Sequence, residues 1–415
     1  MADDVCVVSR LSSESSVLVI GAGLAGWRFV EALRAEGFDG PVTVVGDEAH
    51  LPYDRPPLSK QVLNGKWGVE RTSLVERDAS VASSVSWRLG EAVVSFDADE
   101  RCAVLRGGDE LRASHVVLAT GARARRLDFA AMEDLHTIRS RDDAQRLLHA
   151  LEKAHHAHPW VVIGAGFLGA EVATAFKVRG VDATVLEAAG LPLEGVVGVT
   201  AATWLRSLPD EFGVRLRTTQ LIHDVERRGE HFGVVLEGGE VIEASGVVVC
   251  AGSSLDLDWL DGSGLTLDQG VVVDANLEAR RDVGAIGDVA RFLWHGPAGD
   301  EVIRVEHWEV AVNHASRLAR FWAMGHGDDV AIVPYFWSDQ YGKKIQMLGH
   351  PCPDDEVQLV HGSLAEGKWL ALYSRAGVVT GLLSLSQPRA LMVSKIVLDQ
   401  TTTLDDALRA RPWNA

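Results

Sequence analysis

Short unbroken apolar runs, each closed by glycines and followed by apolar positions at helical spacing, set the pattern of this chain. Val17-Leu-Val-Ile20 runs into Gly21-Ala-Gly23-Leu-Ala-Gly26, and Trp160-Val-Val-Ile163 runs into Gly164-Ala-Gly166-Phe-Leu-Gly169. A four-residue apolar run bounded by glycine predicts a strand buried on both faces, and the spacing after it predicts a helix. The helices are expected over Leu24 to Glu36 and about Leu168 to Arg179. Strands Val42-Thr-Val-Val45 and Ala183-Thr-Val-Leu186 follow them. Each set is a βαβ unit, so the fold class is α/β with two Rossmann-like parallel-sheet domains.

The rest of the chain fits around these units. Leu51-Pro-Tyr-Asp-Arg-Pro-Pro-Leu-Ser-Lys60 carries a proline pair suited to the first turn of a helix. Short strands near Ala92 to Phe96 and Ala103 to Leu105 lead into His115-Val-Val-Leu-Ala-Thr-Gly121. A helix is expected from Arg141 to Ala154, and alternating segments from Val214 to Cys250 predict a strand-rich crossover. Val271-Val-Val273, Gly284-Ala-Ile-Gly-Asp288-Val-Ala290 and a helix from about Ala311 to Ala323 come next. The pattern then turns to alternation, with strands expected at Pro334 to Trp337, Lys344 to Leu348, Trp369 to Ser374 and Val378 to Leu385. A closing helix at Arg389 to Asp399 follows. That shift marks a third, α+β domain.

Composition narrows the function classes. The chain has 415 residues and a net charge of −18, which argues against nucleic acid and an anionic membrane surface as partners. No apolar run is long enough to span a bilayer, and Met1 to Ser16 hold no signal-type apolar core, so a soluble, cytoplasmic protein is expected. The four cysteines, Cys6, Cys102, Cys250 and Cys352, are too dispersed for a C-x-x-C dithiol or an iron–sulfur cluster. His155, His156 and His158 have no Cys or acid at ligand spacing. They read as a solvated helix end, and no metal site is expected.

The glycine turns carry the chemistry. In such a turn the first glycine makes the bend, the second lets a pyrophosphate approach the backbone, and the third lets helix and strand pack closely. The helix start offers free N–H groups and partial positive charge to the anion. An acid ending the second strand can bind the adenosine ribose. Asp47, followed by Glu48, is placed for this in the first unit and Glu187 in the second. An acid at 187 repels a 2′-phosphate and so favours NADH over NADPH. Two dinucleotides with electrons passing between them are expected.

Gly46-Asp-Glu-Ala-His-Leu-Pro-Tyr-Asp-Arg-Pro-Pro-Leu-Ser-Lys60 resembles the FAD-dependent ferredoxin reductase family of bacterial oxygenase and cytochrome P450 electron chains. That family includes putidaredoxin, biphenyl dioxygenase and rubredoxin reductase types and is related to apoptosis-inducing factor. Further matches are Ala119-Thr-Gly121, Gly164-x-Gly-x-x-Gly-x-Glu171, Ile286-Gly-Asp288-Val-Ala290, Glu306-His-Trp308 and Phe336-Trp-Ser-Asp-Gln-Tyr341. They span nearly the whole chain. The resemblance implies a glutathione-reductase-like FAD/NAD fold. Its parts would be a discontinuous FAD domain (1–123 and 256–331), an NADH domain (124–255) and a C-terminal interface domain (332–415).

Carried over by position, the resemblance sets FAD against Gly21, Gly23, Ala25, Gly26, Asp47, Glu48, Arg55, Lys60, Val93, Arg139, Asp288 and Trp308. It sets NADH against Gly164, Gly166, Phe167, Leu168, Gly169, Glu171, Glu187 and Gly252. Arg55 can neutralise pyrophosphate, Asp288 can accept from a ribityl hydroxyl, and Trp308 can wall the isoalloxazine. Trp308 is also readable as one more buried aromatic, and Glu171 as an acid stabilising the start of its helix. The resemblance implies instead that Lys60 and Glu171 pair near flavin N5, where a desolvated cation stabilises reduced flavin. Hydride then passes from nicotinamide directly to flavin, and neither residue moves a proton.

Disulfide reductases on the same plan need a redox cysteine beside the flavin, and Leu51 to Lys60 holds none. The implied acceptor is a [2Fe-2S] ferredoxin or a rubredoxin, serving a P450 or Rieske-type ring-hydroxylating oxygenase; the implied state is a monomer or weak homodimer. Direct NADH oxidation, quinone reduction and a flavin-bearing sensor remain as alternatives. The chain departs from the family at Leu191 and Gly195, where arginines are usual, at Ala124 in place of proline, and at Gly252-Ser-Ser-Leu-Asp256. Val75 stands where the family has a basic residue. Arg317, Arg320, Lys343 and Lys344 are the candidates for a basic patch that would greet an acidic ferredoxin.

Overall fold

The computed structural model of the protein describes residues 10–153, 157–326 and 332–414. Cys6, His155 and His156 lie outside the described residues. The chain divides into two compact units. The first gathers the described residues of Met1–Asp54, Ser73–Arg123 and Leu255–Pro334; the second gathers those of Arg55–Thr72, Ala124–Ser254 and Tyr335–Ala415.

In the first unit the apolar runs become a six-stranded sheet, in the order Glu278–Arg280, Val283–Ala285, His115–Leu118, Val17–Ile20, Val42–Gly46, Val85–Leu89. Val17 stands opposite both Val42 and His115, and every pairing is parallel except that of the first two strands. Val17, Leu18, Val19 and Ile20 are all buried because both sheet faces are covered. Each such side chain stabilises the fold by roughly 1.5–3 kcal/mol relative to exposure. One covering layer is the helix Leu24–Ala35, which turns Trp27, Phe29, Val30 and Leu33 inward. It packs on the helix Trp308–Met324, with Phe29 edge-on to Trp322 at 5.5 Å between ring centroids. The Trp308 helix begins one turn earlier than its apolar period indicates. Its first residues, Trp308 and Glu309, are half-buried, and the buried Val310 follows them.

The second unit holds a four-stranded parallel sheet, ordered Arg215–Arg217, Ala183–Leu186, Trp160–Ile163, Val247–Val249, with the helix Phe167–Val178 following the Trp160 strand. An antiparallel meander of Ile222–Arg228, His231–Leu236 and Val241–Ala244 supplies the expected crossover. The helices Glu194–Leu205 and Leu208–Phe212 were not foreseen. Residues 55–72 belong here, and after the proline pair Leu58–Val62 winds as a wide π-type turn. There Val62 N donates to Pro57 O and Leu63 N to Leu58 O. Such turns recur at functional sites.

The C-terminal part of this unit is a five-stranded antiparallel sheet, ordered Tyr335–Gln340, Lys343–Gly349, Val378–Leu385, Lys368–Arg375, Glu356–Ser363. Its Glu356–Ser363 edge strand is mostly polar, which hid it from the apolar pattern. The expected closing helix is two short ones, Pro388–Ser394 and Ile396–Asp399, and a further helix, Leu404–Ala410, follows. Among the described residues no helix is long and apolar enough to cross a membrane.

Candidate functional site: two glycine cradles and a buried lysine–glutamate pair

Each glycine turn is built the same way. Gly21 and Gly164 take φ of +123° and +99°. A Cβ would stand 2.2 Å from Ala119 O at Gly21 and 2.5 Å from Cys250 O at Gly164, so only glycine makes the bend beside the neighbouring strand. The second glycines, Gly23 and Gly166, have no atom within 4 Å of where a Cβ would stand. That open space lies at the start of a twelve-residue helix in both cases, and neither helix has a capping side chain. Such a helix start leaves backbone N–H groups unpaired, which suits a pyrophosphate. Ala25 and Gly26 on one side, and Gly169 on the other, are buried in the first turn, while Phe167 and Leu168 are half-buried. The residues present fit one dinucleotide phosphate at each turn.

The acids differ in setting. Glu187 is aimed by the turn itself: Ala165 N donates to Oε2 at 2.6 Å and Ala189 N to Oε1 at 2.9 Å. Asp47 is exposed and shares the Arg123 guanidinium, 2.9 Å away, with Asp256 at 3.3 Å. An exposed pair of this kind is worth about 0–1 kcal/mol, so ribose hydroxyls can replace it readily. Beside Asp47 opens a hollow of about 470 Å³ lined also by Gly90, Glu91, Arg106 and Arg123. Neither Arg106 nor Arg123 stood out in the sequence. Glu48 instead accepts a short hydrogen bond from the Tyr53 hydroxyl.

Asp288 is half-buried near the Gly121 bend. Its loop is anchored by Gly287 N, which donates to His314 Nδ1 at 3.3 Å. Burial, with the Arg317 charge adding to it, pushes His314 down to about 3, so the ring stays neutral and can accept that bond. Trp308 opens its helix half-buried, and its Nε1 donates to Asp54 Oδ1 at 2.9 Å. It is therefore not a fully enclosed core aromatic. Val93 lies half-buried opposite Leu105.

In the second unit the lysine and the acid come together. Lys60 Nζ is 2.7 Å from Glu171 Oε2, with side-chain exposures of 11% and 6%. Glu171 also accepts from Ser59 Oγ on Oε2 and from Ser338 Oγ on Oε1, both at 2.6 Å. Gln340 Nε2 donates to Ser338 Oγ at 3.2 Å. Ser59, Ser338 and Gln340 were not among the sequence candidates, although each sits inside a motif that stood out, Pro-Pro-Leu-Ser-Lys or Trp-Ser-Asp-Gln-Tyr. Arg55 donates to Arg139 O at 2.8 Å, and Arg139 N donates to Asp143 at 3.0 Å. Gly252 lies exposed, its carbonyl accepting from Arg125 N.

Burial together with the Glu171 charge pushes the Cys250 thiol up to about 12. Among the described residues no group of three or more His, Cys, Asp or Glu could hold a metal. Val75 is buried in the core of its unit. Of the candidate patch cations, Arg320 pairs with Glu36 at 3.1 Å and Lys344 with Asp339 at 3.8 Å, while Lys343 donates to Gly367 O.

Two stretches of the chain match known families. Residues 15–315 match the pyridine nucleotide-disulphide oxidoreductase family, and residues 335–412 match the reductase C-terminal domain. A rhodocoxin reductase of Rhodococcus erythropolis is 33% identical over 92% of this chain and 89% of its own. The ferredoxin reductase component of a chlorobenzene dioxygenase from a Cupriavidus strain is 31% identical, with 94% of each chain covered. Among solved structures, the reductase in a covalent putidaredoxin reductase–putidaredoxin complex superposes with a TM-score of 0.87. It is 28% identical, over 96% of this chain and 98% of that one.

Proposed function

The chain belongs to the pyridine nucleotide-disulphide oxidoreductase family with a reductase C-terminal domain, and from that premise we propose that it is an NADH-dependent, FAD-containing ferredoxin reductase. The observation that carries this reading is the paired construction of two uncapped glycine cradles, one in each unit. Bound FAD supplies a centre that accepts two electrons from NADH and releases them one at a time. The protein's own share is binding, orientation and electrostatics.

Gly21, Gly23, Ala25 and Gly26 would receive the FAD pyrophosphate, with Asp47 and Glu48 toward the ribose. Arg55, Val93, Arg139, Asp288 and Trp308 would complete the contacts. Gly164, Gly166, Phe167, Leu168, Gly169 and Gly252 would hold NADH, with the pre-aimed Glu187 on its ribose. Lys60, tethered by Glu171, would place a cation beside the isoalloxazine and so favour the reduced form. The division into 1–123 with 256–331, 124–255 and 332–415 is proposed as FAD, NADH and interface domains.

Relatives named as ferredoxin and putidaredoxin reductases support a ferredoxin as acceptor, and the acceptor we propose is a [2Fe-2S] ferredoxin or a rubredoxin. Leu51 to Lys60 carries no cysteine to relay electrons to a disulfide. A P450 or ring-hydroxylating oxygenase would stand downstream, and we place the protein in the cytoplasm as a monomer or weak homodimer. The test is steady-state electron transfer from NADH through a purified ferredoxin to cytochrome c. Turnover that requires the ferredoxin supports the reading. NADH-driven oxygen or quinone consumption of equal rate without it would replace the reading with a direct oxidase.

A further inference from the structure

Glu171 is held by three donors, and only one of them is a charge. Lys60 Nζ and Ser59 Oγ both serve Oε2, at 2.7 and 2.6 Å, whereas Ser338 Oγ alone among these serves Oε1, at 2.6 Å. Ser338 is fully buried and Gln340 nearly so. Gln340 Nε2 donates to Ser338 Oγ, so the serine proton is left to point at the carboxylate. The chain Gln340, Ser338, Glu171, Lys60 therefore runs in one direction, and its members come from three distant stretches of sequence.

The last torsion of a glutamate is broad and soft. With no donor on Oε1, a buried carboxylate turns until its unsatisfied oxygen finds one, and the lysine, held more closely by Glu171 Oε2 at 2.7 Å than by Pro56 O at 3.3 Å, moves with it. We propose that Ser338, oriented by Gln340, is a positioning residue that locks Glu171 with Oε2 toward Lys60 and so fixes where the Lys60 cation stands. This rests on the reading above that Lys60 faces the flavin. A fixed cation there favours the reduced, more negative flavin, and a loosened one favours it less.

The experiment compares the parent with Ser338→Ala, Ser338→Thr and Gln340→Met by two measurements. In flavin-free protein, reductive methylation of Lys60 is timed by peptide mass spectrometry. In the holoprotein, the two-electron midpoint potential is read against a reference dye. Ser338→Ala is expected to methylate at Lys60 several-fold faster. It should also shift the flavin equilibrium toward the oxidised form by about tenfold, or ~30 mV for a two-electron couple. Ser338→Thr, which keeps the hydroxyl, restores both values, and Gln340→Met moves both in the same direction as Ser338→Ala by less. Parental methylation and potential in Ser338→Ala would overturn the proposal. So would Ser338→Thr behaving as Ser338→Ala while unfolding at the parental temperature. A parent that binds no flavin would sink the functional reading instead, and the methylation measurement would still decide the clamp.

Discussion

Replacing Glu187 by glutamine asks how the second glycine turn chooses its coenzyme. The carboxylate is fixed by Ala165 N on Oε2 at 2.6 Å and Ala189 N on Oε1 at 2.9 Å, which leaves acceptor capacity on both oxygens for ribose hydroxyls. A 2′-phosphate about 5 Å away would be repelled by roughly 1 kcal/mol per unit charge in water and about 3 kcal/mol at an effective dielectric of 20. Glu187 is half-buried, so about 2 kcal/mol is a fair value for the repulsion that Glu187→Gln removes. The amide also replaces one accepting oxygen by a donor. One of Ala165 N and Ala189 N thereby loses its acceptor, a loss common to both coenzymes, and one ribose hydroxyl loses its acceptor, which costs NADH about 1 kcal/mol. Together these contract the NADH-to-NADPH ratio of kcat/KM by about 3 kcal/mol, or roughly a hundredfold, mostly through faster use of NADPH. The assay is stopped-flow bleaching of the flavin over a range of each coenzyme, repeated at high salt, where the repulsive share shrinks. A ratio that does not move, or an equal loss with both coenzymes, would refute the role given to Glu187.

Other consequences can be checked separately. Gly164→Ala puts a Cβ 2.5 Å from Cys250 O at a φ of +99°. We expect bleaching by NADH to slow by at least about tenfold with bound flavin retained; a parental rate would contradict the cradle. Asp143 is pushed up by its burial, but donors from Ser140 N, Arg139 N and Arg146 outweigh this and hold it below its usual 3.8. Its stabilisation is therefore present above pH 3.8 and lost as pH falls through the lowered native value. Asp143→Asn should lose about 1–2 kcal/mol in urea near neutral pH, and the gap should close in acid; a gap independent of pH would count against this. Cys250, pushed up to about 12, should resist iodoacetamide at neutral pH in the native protein and react once it is unfolded; native labelling as fast as at Cys352 would show its burial to be wrong.

What could be read in the sequence was what periodicity and local chemistry encode. Val17–Ile20 and Trp160–Ile163 announce themselves because strands covered on both faces must be apolar throughout. Gly21 and Gly164 do so because their bends admit no side chain. The Glu356–Ser363 strand did not, since an edge strand facing solvent carries no apolar run. The Lys60–Glu171 pairing is implied by the family resemblance alone, and the two side chains meet at 2.7 Å. Ser59, Ser338 and Gln340 could not be assigned in advance, because a buried polar cluster drawn from residues 59, 171 and 338 leaves no spacing signature along the chain. Arg123 and His314 were missed for the same reason. Their partners, Asp47 and Gly287, are brought near by sheet and helix packing and not by sequence proximity. Val75, which stands where the family has a basic residue, is buried in the core of its unit.

The most direct measurement is an anaerobic titration of the purified protein with NADH, followed through the flavin's visible band. The protein is expected to be yellow and to carry close to one FAD per chain, bleached by about one equivalent of NADH and recoloured when an oxidised iron–sulfur protein is added. A colourless preparation that takes up no FAD, or a flavin indifferent to NADH, would contradict it.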